Sequence, residues 1–282
     1  MVTDSMNPLA FLNASIPYFK GRGRIVDAAV AVCGYSNREF IASFKSRGRF
    51  VRFYADMNSG IERSTVQAGS YEPEEARIIE RSVSGGDHVL DIGANVGLHA
   101  LRLANIIGPS GRLFCYEPNM ETRARLLRNL ALNGFSNVLV SSDAVGEYAG
   151  LGTLYVNSVN DGNRNATMVA EEDASRNPIA VKIVRLDDIE FQGRISFIKL
   201  DIEGFEYLAI KGAKSLLRDH KPVVMLEYNK HFAAMVGWKV EDLTSVFSSV
   251  GTYRCRTAAG HIMHGEPDSV MTTLVFSCSS SA

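Results

Sequence analysis

The stretch that most constrains this chain is His88-Val89-Leu90-Asp91-Ile92-Gly93-Ala94-Asn95-Val96-Gly97-Leu98. An apolar strand over residues 89–92 runs into a glycine-spaced turn, and a helical run over 98–107 follows at once. A strand, a tight loop and a helix opening let backbone approach a nucleotide-like ligand. Gly93 and Gly97 stand as G-x-x-x-G, not as the G-x-G-x-x-G of a dinucleotide site. Asp91 puts a carboxylate where a pyrophosphate would be repelled. A ligand with an ammonium group and no phosphate is attracted there instead.

S-Adenosylmethionine meets that requirement: it carries an α-ammonium, a sulfonium and a ribose. Glu117 closes the next strand, residues 113–117, near the ~20-residue separation at which such folds place an acid on the ribose hydroxyls. The plain alternative is a tight turn with Asp91 as a helix cap. Two acids at successive strand ends favour the cofactor site.

At 282 residues and 46% hydrophobic, the chain can bury a full core, enough for one domain with an extension. A net charge of −1 argues against an electrostatic nucleic-acid binder. Cys33, Cys115, Cys255 and Cys278 are scattered without C-x-x-C spacing, so they read as reduced thiols, not as a disulfide framework or zinc site. No apolar run reaches the ~20 residues of a membrane span. No basic-then-apolar leader opens the sequence, and a cytoplasmic protein is expected.

Residues 1–68 are expected to form an extension or cap of helices and a hairpin, ahead of a main domain over 69–282. Residues 13–19 contain Pro17, and 25–32 suit a short helix. Up to Arg52 there are eight basic residues (Lys20, Arg22, Arg24, Arg38, Lys45, Arg47, Arg49, Arg52) against Asp4, Asp27 and Glu39. This excess is either a solvated face or a collar for an acidic acceptor such as a phosphate-bearing sugar or carrier. Contacts to an acceptor or to a second copy in a homo-oligomer are the candidate tasks of this segment. Residues 49–54 alternate as a strand and Asn58-Ser59-Gly60 is a turn, which predicts a hairpin over 49–66.

Tyr71-Glu72-Pro73-Glu74-Glu75 opens a helix through about Ser82, with proline in the first turn and acids at the positive end of the dipole. Strands and helices then alternate. A helix is expected over 95–107 and a strand over 112–117. Asn119 caps a helix carrying Leu126, Leu127, Leu130 and Leu132. A strand over 138–141 ends near Asp143-Ala144, and 151–156 and 181–186 read as further strands. The polar stretch between them, with Glu171, Glu172 and Asp173, is either unstructured or a lid. The sequon Asn165-Ala166-Thr167 carries no meaning without a secretion signal. A strand over 195–200 precedes a helix over 204–218, a strand over 222–226 ends at Glu227, and a helix spans 240–250. Residues 253–257 and 272–276 read as a closing antiparallel pair. Such alternation is the pattern of a parallel sheet with helices on both faces, whose ligands bind at the carboxyl ends of the strands. Asp91, Glu117, Asp201 and Glu227 occupy those ends.

Lys199-Leu200-Asp201-Ile202-Glu203-Gly204-Phe205-Glu206 is the second chemical stretch. Alternation points Lys199 and Asp201 to one side, and Gly204 permits a sharp turn. Three charges this close are costly to bury unless they pair. Either Lys199 pairs with Glu203 or Glu206 to fix the turn, or Lys199, Asp201, Glu203 and Glu227 act as base and orienter for an acceptor hydroxyl or amide. His231 reads as a surface or packing histidine. Asp201, Glu203 and Glu227 are oxygen donors of the kind Mg²⁺ takes, but their spacing does not establish a metal site.

The runs Leu90-Asp91-Ile92-Gly93-Ala94-Asn95-Val96-Gly97, Tyr116-Glu117-Pro118-Asn119, Leu130-Ala131-Leu132-Asn133-Gly134, Ile198 to Glu206, and Leu226-Glu227 together resemble the FkbM family of class I S-adenosylmethionine-dependent methyltransferases. Tyr71-Glu72-Pro73 is similar to the opening segment of that family, and the resemblance covers roughly residues 69–230. It implies a Rossmann-like α/β fold, with a seven-stranded, mostly parallel sheet and an antiparallel last strand. It implies the cofactor along Asp91, Gly93, Ala94, Asn95, Gly97, Glu117 and Pro118, with Asp143 and Ala144 near the adenine and Asp201 near the methyl group. It implies O-methylation of a sugar or other secondary-metabolite hydroxyl. The alternatives are N-methylation of a peptide or protein side chain, or a non-catalytic cofactor-binding scaffold. The glycan or small-molecule acceptor is left open, because residues 1–68 lie outside the match.

Overall fold

A computed structural model describes residues 21–36, 38–157, 166–168, 176–263 and 265–278. Helix α1 (Arg22–Val32) is followed by strands β1 (Phe40–Ser46) and β2 (Arg49–Ala55), then by helices α2 (Gly60–Ala68) and α3 (Pro73–Ser82). β1 and β2 pair antiparallel from Phe40↔Ala55 to Ser46↔Arg49. The hairpin therefore turns at Arg47-Gly48, where both residues have positive φ. This corrects the expectation of a hairpin over 49–66. The strand at 49 is present, but Asn58-Ser59-Gly60 starts a helix, because the Ser59 side chain accepts from Glu62 N.

The main sheet holds β3 (His88–Ile92), β4 (Arg112–Tyr116), β5 (Val138–Ser141), β10 (Ile195–Leu200), β11 (Val223–Asn229), β12 (Tyr253–Thr257) and β13 (Met271–Cys278). Its order is β12-β13-β11-β10-β3-β4-β5. β13, the last strand, is antiparallel to both neighbours, and the other adjacent pairs are parallel. This is the Rossmann-like sheet expected. The chain runs outward from β3 through β4 to β5 on one side and returns to β10 and β11 on the other. The reversal between β3 and β10 is the switch point at which such sheets bind ligands.

Helices α4 (Leu98–Ile107) and α5 (Met120–Leu132) connect the first half; α6 (Glu206–Lys211), α7 (Lys214–His220), α8 (Lys230–Val236) and α9 (Val240–Val250) belong to the second. The helix expected over 204–218 is two pieces. Gly212 breaks it, lying so close to the Gly146 carbonyl that a Cβ there would collide with it. On α5, Leu126 and Leu130 are buried while Leu127 is exposed, so the buried stripe runs Thr122, Leu126, Asn129 and Leu130 at helical spacing. A second sheet of β6 (Ala144–Val145), β9 (Arg176–Val184), β7 (Gly150–Asn157) and β8 (Ala166–Thr167) was not foreseen as a unit. Most of the polar stretch between β7 and β9, including Asn165 and Glu171, Glu172 and Asp173, lies outside the described residues. So do Asp4, Pro17 and Lys20.

The sheet separates two apolar clusters. Val89 and Phe197 point into one, with Phe44, Phe53, Ile79 and Leu101. Leu90, Ile92, Ile198 and Leu200 point into the other, with Trp238, Leu243 and Phe276. The hairpin β1–β2 is thus part of a core shared with α3 and α4. Arg102, 2% exposed, ties it in. Its guanidinium bonds Glu80 at 2.5 Å, Ser70 Oγ and the Lys45 carbonyl, and lies over the Phe44 ring. Of the basic residues before Phe53, Arg22, Arg47 and Arg52 likewise donate to backbone carbonyls of neighbouring elements.

Arg125 does the same work for α2. Its Nη2 lies 2.8 and 2.7 Å from the two oxygens of Glu62, which is fully buried. Breaking a buried pair from one side costs about 3–5 kcal/mol. Arg125→Ala is expected to lose stability in that range by chemical denaturation, and adding Glu62→Gln should restore part of it. Strictly additive losses in the double-mutant cycle would contradict the pairing.

Candidate active site

The carboxyl ends of β3, β4, β10 and β11 form one edge, and an open cleft of about 1040 Å³, partly continuous with solvent, lies against it. Gly93, Asn95, Glu117, Pro118, Asp143, Ala144, Asp201, Glu203 and Glu227 line this cleft. Ala94 and Gly97 line a narrow recess beside it, together with Lys199, Asp201 and His99. Asp91 reaches neither surface: it is fully buried beneath them. The second sheet adds Leu154, Ala166 and Met168 as an apolar wall.

Asp91 and Lys199 are register partners across β3 and β10, and both project to the face opposite Leu90 and Leu200. The Lys199 ammonium lies 3.6 Å from Asp91 Oδ1 and 3.1 Å from Asp201 Oδ2, and donates to the Gly93 carbonyl at 2.9 Å. The pairing expected from Lys199 to Glu203 or Glu206 is not what holds this turn. Glu206 instead accepts from the N–H groups of Ile202 and Gly204. Asp91 is no helix cap either, since the N-cap of α4 is Gly97 and the helix starts at Leu98.

The two glycines are required by protein contacts as well as by any ligand. Gly93 has φ 78°, and a Cβ there would collide with the Asp201 carbonyl. Gly97 has φ 94°, and a Cβ there would collide with Leu126 Cδ1. Glu117 accepts from Asn95 N at 2.8 Å and from Asn119 N at 2.9 Å. Each of its oxygens retains a lone pair that a hydroxyl can use.

The charges in the cleft differ by environment. Burial pushes the carboxyls of Asp91 and Glu117 up. Burial, then the charges of Asp201 and Glu206, raises Glu203 to about 8. Burial, then Asp201, Glu203 and Glu72, raises Glu227 to about 9. Lys199 loses by burial but gains more from Asp201, Asp91 and Glu72, so its ammonium is held well above the ordinary value. It is a fixed charge, not a base. Among the described residues no group of three or more His, Cys, Asp and Glu side chains is arranged to hold a metal ion.

Tyr71, Glu72 and His99 were not nominated by the sequence as site residues. Tyr71 and Glu72 line the cleft, and His99 lines two recesses beside it. The acid preceding the helix-opening proline was the available signal for Glu72. His99 gave none, being one residue in an apolar helix.

Six carboxylates (Glu72, Glu117, Asp143, Asp201, Glu203, Glu227) and no Lys or Arg appear among the described residues lining the cleft. That donor set fits a cationic, phosphate-free nucleoside and opposes a dinucleotide. The sequence profile of the methyltransferase FkbM domain matches residues 91–254, more than half of the chain. Fold and profile define an S-adenosylmethionine-dependent methyltransferase domain. The chain belongs to the FkbM methyltransferase family.

Among solved structures, it is similar to an FkbM methyltransferase from Methylobacillus flagellatus at 20% identity and TM-score 0.47, covering 76% of this chain and 52% of that one. The chain thus spans about half the length of that protein. It is also similar to an S-adenosylmethionine-dependent O-methyltransferase from Thermotoga maritima, at 11% identity and TM-score 0.47, covering 88% and 87%. A putative rRNA methylase from Clostridium thermocellum matches at 11% identity and TM-score 0.49, covering 74% and 96%. No curated protein sequence matches. No helix among the described residues is long and apolar enough to cross a membrane.

The raised carboxyls have a consequence for stability. From the ordinary value of 4.5 up to about 8 for Glu203 and about 9 for Glu227, the folded chain binds protons that the unfolded chain has released. Their contribution is complete below pH 4.5 and is lost as pH rises through 8 and 9. Glu227→Gln is expected to flatten the fall of melting temperature across this window and to raise it at the alkaline end, by about 2–4 °C per kcal/mol relieved. A thermal denaturation series in pH checks this; parallel wild-type and variant curves would remove the assignment.

Proposed function

We propose that this chain transfers a methyl group from S-adenosylmethionine to a hydroxyl of a sugar or another secondary metabolite. Glu117, with Pro118, Asp143 and Ala144, holds the adenosine part, and the turn over 93–97 holds the amino-acid part. Asp91 acts from beneath, through Lys199. When bound, S-adenosylmethionine supplies a methyl group already activated by a sulfonium. The chain has then to position the acceptor and to receive its proton. Positioning alone lowers such a barrier by roughly 7–11 kcal/mol.

The observation that carries this reading is the pair Glu203 and Glu227, raised to about 8 and about 9 beside Asp201. An acceptor hydroxyl needs a base, and a base works best with a pKa near the working pH. A cation bound beside these carboxyls lowers both toward that range. Lys199 donates to Asp201 at 3.1 Å and orients it. The described lining, without Lys or Arg, and the attachment of Arg22, Arg47 and Arg52 to backbone carbonyls, support a neutral acceptor over an acidic one. The same lining supports a second reading, N-methylation of an amine, because carboxylates attract an ammonium. A scaffold without turnover would leave Glu203 and Glu227 with no task.

Glu227→Gln and Glu203→Gln are expected to reduce turnover by about 10²–10⁴ while changing donor affinity little. Full rate in both variants would remove acid–base assistance from this loop. An acceptor screen over neutral glycosides, acidic sugars and peptide amines, read by a mass gain of one methylene, discriminates the acceptor readings. A methyl group found on nitrogen would replace the O-methylation reading.

A further inference from the structure

Glu72 enters the cleft from outside the stretch matched by the family profile, and it differs from the other acids there. Its backbone is left-handed at φ 37°, immediately before Pro73 and the first turn of α3. An L side chain adopts that conformation rarely, and persists in it only when its surroundings over-determine it. The Glu72 carboxylate is held by His99, whose Nε2 lies 2.7 Å from Glu72 Oε2, and by the side chain of Tyr71. His99 is 3% exposed, and its ring packs 4.7 Å from that of Tyr71.

The other ring nitrogen, Nδ1, is buried with no hydrogen-bond partner among the described residues. A buried N–H left without an acceptor is the costlier arrangement, so the ring proton belongs on Nε2 and His99 donates to Glu72. Burial would raise the Glu72 carboxyl, but the hydrogen bond from His99, and then the charge of Lys199, hold it below the ordinary value. Glu203 and Glu227 are raised; Glu72 stays ionised and half-exposed to the cleft.

The position fits one part of the donor. Glu117, Asp143 and Ala144 stand at the β4–β5 side of the cleft, where the adenosine is placed. Glu72 stands with Asp201 and Glu227 around the recess at the ends of β10 and β11. We infer that Glu72 binds the α-ammonium group of the donor and that His99 is a positioning residue that fixes the Glu72 carboxylate for this contact. The inference rests on the cleft being the donor site. It assigns to the segment before β3 a part of donor recognition that the glycine turn alone does not supply.

The test is calorimetric titration of the full chain with two probes. S-Adenosylhomocysteine carries the ammonium and carboxylate; 5′-methylthioadenosine carries neither. Glu72→Gln is expected to weaken S-adenosylhomocysteine at least tenfold and to leave 5′-methylthioadenosine within about twofold. His99→Phe, which removes the donor, should show the same selective loss. His99→Asn keeps an N–H donor and should retain most of the affinity. Retained binding of 5′-methylthioadenosine also reports that each variant is folded. Unchanged binding of S-adenosylhomocysteine by Glu72→Gln, or an equal loss of both probes, overturns the inference and leaves the donor site standing. Failure of the unmodified chain to bind either probe overturns the donor-site reading itself.

Discussion

The Lys199 ammonium is the interaction on which the functional edge depends. It is buried between Asp91 and Asp201 and donates to the carbonyl of Gly93. Each of these groups alone would be costly to bury, since an unpaired charge in the interior is tolerated only when neutralised or hydrogen-bonded. Together they close the β3 turn against the β10 turn. The Asp201 N–H donates to the Ile92 carbonyl at 3.1 Å and reinforces the closure. The contact is so tight at Gly93 that no side chain fits between the two turns.

The turn after β10 is fixed from three further directions. Glu206 holds the N–H groups of Ile202 and Gly204, Trp238 Nε1 donates to the Gly204 carbonyl at 2.8 Å, and Thr167 Oγ1 donates to the Glu203 carbonyl at 2.7 Å. Glu203 has φ 52° within this frame. Strained backbone that is held from several sides presents its side chains in one arrangement. The carboxyls of Asp201 and Glu203 are therefore offered to the cleft without a further ordering cost. The second sheet, through Thr167, takes part in that presentation besides forming an apolar wall.

Much of this was legible in the sequence because it is local. The strands around Asp91, Glu117 and Asp201 are bounded by glycines and acids, and Val240–Val250 has the expected limits. The parallel pairing of the inner strands follows from strand–helix alternation. What stayed hidden depends on partners distant in the chain. At the break between α6 and α7 Gly212 lies against the distant Gly146 carbonyl, and the partner of β2 is upstream because Ser59 is used as a helix cap. Lys199 pairs across to Asp91 on β3 as well as with Asp201 on its own turn. His99 and Glu72 meet only because α3 folds back over the start of α4.

The closeness of Gly93 to Asp201 bears on how such a chain can diverge. Backbone from two segments far apart in sequence shares one volume, so any side chain at position 93 must displace the turn at Asp201. Leu154, Ala166 and Met168, on the apolar wall of the cleft, lie outside that shared volume. A change in that wall leaves the β3–β10 junction intact.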